Sequence, residues 1–174
     1  MSKSVFCIAT TQGQAERIVS RLQSQGFVAS EISVLLPDSS GTGDFGHVKS
    51  TKASEGVTAG VTTGGVAGGT LGLLAGIGAL AIPGVGPFIA AGPIMAALSG
   101  AALGATTGGI VGGLIGLGIP EIEAKRYEDK LKKGNYLVSA HANNGDQFDR
   151  AGEIFKAEGA EDISTVREAT APTT

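Results

Sequence analysis

Apolar positions divide the chain into two ends with regular periodicity and an apolar middle. The run Val5-Phe6-Cys7-Ile8-Ala9 has strand length. Residues 14–24 then place Ala15, Ile18, Val19 and Leu22 at helical spacing, with Thr11 available as a cap and Gly26 as the stop. Ile32-Ser33-Val34-Leu35-Leu36 predicts a second strand, stopped by Pro37-Asp38. Beyond residue 120 a charged helix is predicted over 121–132, with Ile122, Tyr127 and Leu131 as an apolar stripe. Glu121 with Lys125 and Glu128 with Lys132 support it as i,i+4 pairs, and Gly134 ends it. Residues 136–141 then read as a strand, 146–158 as a helix with Phe148, Ala151, Ile154 and Phe155 inward, and 163–166 as the last strand.

The two ends correspond: strand, polar turn, helix closed by Gly26, strand; and strand, polar turn, helix closed by Gly159, strand. Two βαβ halves of this size predict an α+β fold with one four-stranded antiparallel sheet and helices on one face, the ferredoxin-like arrangement. The expected organisation is a discontinuous domain of residues 1–37 and 134–168. Between its halves come a Gly/Ser-rich loop (38–55), an apolar segment (56–120) and the charged helix (121–133), with a disordered tail over 169–174.

The apolar segment holds sixty-five consecutive residues without Asp, Glu, Lys, Arg or His, and twenty of the chain's 29 glycines. Gly56, Gly60, Gly64, Gly68, Gly72 and Gly76 recur every fourth residue, as do Gly100, Gly104, Gly108, Gly112 and Gly116 after Pro83-Gly84-Val85-Gly86-Pro87. Residues four apart share one face of a helix, and glycine there lets a second backbone approach closely. The spacing therefore predicts helices near 57–82 and 93–118, each about 39 Å long, folded antiparallel as a glycine-zipper hairpin. Gly60 would face Gly116, Gly64 Gly112, Gly68 Gly108, Gly72 Gly104 and Gly76 Gly100.

Interior glycine costs about 1 kcal/mol of helix stability relative to alanine, so packing must support such a hairpin. Three settings are open: insertion in a bilayer, a core shared between subunits of a soluble homo-oligomer, or an intramolecular core. Insertion suits the length and the small-residue faces, although tryptophan is absent and Phe88 is the segment's one aromatic residue. Lys49, Lys52, Lys125 and Arg126 beside the segment would keep both flanks cytoplasmic.

A net charge of −3 and a pI near 5.4 argue against nucleic-acid binding, which calls for a basic face. Cys7 is the single cysteine, so an internal disulfide and a cysteine-based zinc cluster are both excluded. In the loop, Asp38, Asp44 and His47 make a weak metal set, and Gly41, Gly43 and Gly46 lack the lysine of a phosphate-binding loop. A hinge with Phe45 as an anchor is the reading adopted there. His141 reads as a surface or capping residue at a strand end, and no catalytic motif, cofactor or metal site is expected.

Glu31-Ile32-Ser33-Val34-Leu35, the zipper, the run from Gly118-Ile119-Pro120-Glu121 to Tyr127-Glu128, and Gly134-Asn135-Tyr136-Leu137-Val138 together resemble bacterial general stress proteins of the heat-induced type. The resemblance implies a bacterial, stress-associated, non-catalytic protein and brings no site residues. The expected function is a structural protein of the cytoplasmic membrane that inserts or self-assembles through its hairpin and displays the ferredoxin-like domain. The alternative is a soluble oligomeric ligand-sensing or interaction module with the hairpin between subunits.

Overall fold

The computed structural model describes residues 3–37, 78–82, 86–94, 98 and 109–167. In chain order these form β1 (Lys3–Ala9), α1 (Gln12–Ser24), a 3-10 turn (Ala29–Glu31), β2 (Ile32–Pro37), β3 (Gly78–Ile82) and β4 (Gly86–Ala91). There follow α2 (Ile110–Gly116), α3 (Glu121–Lys132), β5 (Tyr136–Ala142), α4 (Gly145–Ala157) and β6 (Glu161–Arg167). The fold is α+β. Its strands make one sheet in the order β3-β4-β2-β5-β1-β6, with every neighbouring pair antiparallel.

Matching end motifs build the two βαβ units. Thr11 caps α1 by accepting from the Gln14 N–H at 3.1 Å, while the Gln14 side chain accepts from the Thr10 N–H at 2.8 Å. Asn144 and Gln147 repeat this at α4, with the Asn143 N–H as the returned donor. Each pair is a variant of the capping box: the cap side chain satisfies one helix donor, and the glutamine reaches back to the N–H of the residue before the cap. At the other ends Gly26 and Gly159 take positive φ, and Phe27 and Ala160 donate back to the Leu22 and Phe155 carbonyls. The helices also exchange contacts: Arg17 reaches Glu158 at 3.1 Å, and Arg150 donates to the Gln25 carbonyl at 3.1 Å.

Alternation along the strands sends side chains to both faces. On the first face, α1 (Ala15, Ile18, Val19, Leu22) and α4 (Ala151, Ile154, Phe155) cover Val5, Cys7, Ala9, Ile32, Val34, Val138 and Ala140. On the second, Ile94, Leu98, Ile110, Leu114, Ala124, Tyr127 and Leu131 cover Phe6, Ile8, Leu35, Phe88, Ala90 and Leu137. Helices therefore lie on both faces of the sheet, not on one, and the sheet has six strands, not four.

The central segment departs most from expectation. Residues 78–82, read as the end of a long helix, are a strand, and residues 86–91 form its hairpin partner, with Ile82 opposite Gly86. Strand β4 continues the sheet beside β2, where Leu35 stands opposite Ala90. The free N–H and C=O groups along β2 need partners, and this outweighs the weak helix propensity of a Gly- and Ala-rich chain. The helix expected over 93–118 is also not continuous, because Gly109 has φ 96° and begins α2 afresh. Among the described residues no helix is long and apolar enough to cross a membrane. The loop 38–55, the tail 169–174 and residues 56–77 of the proposed first helix lie outside the described residues.

The turn after β4 depends on Gly92, whose φ is 76° and where a Cβ would stand 2.2 Å from the Ile32 carbonyl oxygen. Gly92→Ala combines left-handed strain with a backbone clash, so it is expected to cost more than about 2 kcal/mol. Urea unfolding of the two proteins measures this, and an unchanged midpoint would contradict the packing described for β4.

Candidate functional site

Three places on the second face bear on function, two of them polar and the third apolar. The first is a row across β1, β5 and β2. The Ser4 hydroxyl lies 2.8 Å from His141 Nδ1, and Ser33 Oγ lies 3.4 Å from His141 Nε2. The Ile94 N–H also donates to Ser33 Oγ at 3.3 Å. Strand pairing creates the row, because Ser4 stands opposite His141 and Ser33 opposite Ser139. Ser4, Ser33 and Ser139 are buried and His141 is half-buried. The Ser139 hydroxyl has no hydrogen-bond partner. His141 is thus a member of a buried strand's polar row, where a surface or capping histidine was expected.

This row is poorly placed for nucleophilic chemistry. Ser4 is only 1 % exposed, which closes its hydroxyl to a substrate. Cys7 belongs to the first face and His141 bonds to hydroxyls of the second, so the two do not converge. Burial pushes the Cys7 thiol far up, away from the thiolate that a nucleophile or metal ligand requires. His47 lies outside the described residues.

The second place is the seam between α3 and β6. Tyr127, buried, donates its hydroxyl to the Asp162 carbonyl at 2.7 Å. Ser164 donates to the Glu123 carboxylate. Lys130 reaches Glu161 at 2.8 Å and Asp162 at 3.7 Å, and Arg126 reaches Asp162 at 3.7 Å. Asp162 has φ 47°, which is unusual for a residue other than glycine. It sits where β6 carries one residue more than β1 between the Phe6–Ser164 and Ile8–Glu161 pairs. Glu123, Arg126, Tyr127, Asp162, Ile163 and Ser164 line a small cleft of about 60 Å³. Its polar groups hold one another, so the seam reads as a clamp on the bulged strand. Ile122, expected in the apolar stripe of α3, is 76 % exposed, and Ala124 packs inward with Tyr127 and Leu131.

The third place is α2. Ile110, Gly113 and Leu114 face the sheet, and a Cβ on Gly113 would stand 2.5 Å from Leu98 Cδ2. Of the predicted assembly residues, Gly112 is half-buried, and Gly116 is exposed with open space where a Cβ would be. Val111 is half-buried and Ile115 is 42 % exposed, so the outer side of α2 carries no charge. Gly60, Gly64, Gly68, Gly72, Gly76, Gly100, Gly104 and Gly108 lie outside the described residues. The close-packing glycine of this helix is Gly113, off the four-residue row, and a Gly-Gly pair at 112–113 was the available signal.

Among the described residues no group of three or more His, Cys, Asp or Glu side chains could hold a metal ion. Asp38, Asp44 and His47 lie outside them. No family model, curated protein or solved structure matches the chain.

Two measurements test these environments. Ser139→Ala removes a hydroxyl that bonds to nothing, so stability should be unchanged or slightly higher. Ser33→Ala strips the Ile94 N–H of its acceptor and should cost about 1–3 kcal/mol; the reverse ranking in urea unfolding would refute the assignment. Burial raises the Cys7 thiol and, chiefly, the Tyr127 phenol above their ordinary values. The folded chain then keeps both protons after the unfolded chain starts releasing them. Their contribution is full below the unfolded values, about 8.5 and about 10, and is lost as pH rises through the folded ones. Stability should therefore decline above about pH 9, and Cys7→Ala should move the onset toward about pH 10.

Proposed function

We propose that the protein is a non-catalytic assembly module: a ferredoxin-like sheet domain that associates with further copies of itself through its uncharged glycine-rich segment. The order β2-β5-β1-β6, with α1 and α4 joining parallel strands across one face, supports the ferredoxin-like reading of the two βαβ units. Strands β3 and β4 extend that sheet at one edge, and α2 and α3 add a layer on its second face.

The observation that carries the assembly reading is the outer side of α2. Val111, Gly112, Ile115 and Gly116 present an uncharged surface with little side-chain bulk beside the polar, charged α3. Glycines four apart favour close approach of a second helix, and an exposed isoleucine beside them gains by being covered. A glycine-zipper contact of this kind holds subunits together without a cofactor. A role in bacterial stress responses rests on the sequence resemblance.

Membrane association is the second reading, favoured by the sixty-five-residue uncharged run. A two-helix membrane hairpin requires β3, β4 and α2 to leave the sheet, which exposes Phe6, Ile8, Leu35 and Leu137. Both flanks would then remain cytoplasmic at the inner face of the bilayer. In the assembled soluble form those side chains stay covered.

Gly116→Leu has room in the fold and should leave the unfolding midpoint nearly unchanged while lowering the particle mass measured by light scattering. An unaltered mass would remove α2 from the interface, and a monomeric wild-type protein would remove the assembly reading. Native protein that resists a carbonate wash of membranes would favour the inserted form instead.

A further inference from the structure

No further inference is drawn: the strongest candidate, the Ser4–His141–Ser33–Ser139 row on the second face of the sheet, belongs to the site already described, and its one unpartnered hydroxyl, that of Ser139, identifies no ligand among the described residues.

Discussion

The structure depends on burying a sheet whose central strands are apolar on both sides. Val5, Cys7 and Ala9 of β1 face one way, and Phe6 and Ile8 the other, and all are almost completely buried. An antiparallel sheet can leave one face in water when polar residues alternate outward, but this strand has no such alternation. Exposing Phe6, Ile8, Leu35 and Leu137 would forfeit about 1.5–3 kcal/mol for each side chain. A second layer is therefore a requirement of the sequence at the two ends, and the central segment supplies it together with α3. Ile94, Leu98, Ile110 and Leu114 come from a stretch whose glycine content suggests a separate unit, yet their partners are the side chains of β1, β2 and β5.

Much of the domain was legible in the sequence because the signals were local. Gly26, Gly159 and Thr11 mark helix ends by short-range hydrogen bonds, and the 3.6-residue spacing of Ile18, Val19 and Leu22 marks a buried stripe. Both i,i+4 pairs of α3 form, Glu121 with Lys125 and Glu128 with Lys132, each at 2.6 Å. The hairpin β3–β4 was not legible, since Gly78-Ala79-Leu80-Ala81-Ile82 has no period-two polarity and its strand state comes from the edge it joins. The continuous run from Val5 to Ala9 does carry the signature of two-sided burial, which a four-stranded sheet with one open face leaves unexplained. Ile122 misled for a related reason: its spacing suits a stripe, but the face of α3 that packs is set by the bulky Tyr127 reaching Asp162.

The two edges of the sheet are finished differently. Strand β6 carries Glu161, Asp162 and Arg167 and an extra residue at the Asp162 kink. Charges and bulges of this kind discourage pairing with another chain. The clamp from α3 holds that kink in place, with Tyr127 satisfying the Asp162 carbonyl and two basic side chains meeting its carboxylate. At the other edge β3 is uncharged. The edge strand β6 is thus charged and bulged, and the edge strand β3 is neither charged nor polar in sequence.

Glycine occupies two different environments on α2. Gly113 turns inward, where its missing side chain lets the helix settle on Leu98 and the sheet. Gly116 meets nothing, so packing within the described fold gives no reason for glycine there. The open space at Gly116 is room that the proposed assembly would use for close approach of a second helix. Gly112 shares that outer side one turn earlier, which is the spacing a facing helix needs. The inward Gly113 therefore belongs to the fold, while the exposed Gly116 is the position on which the proposed assembly rests, so the two can be altered independently.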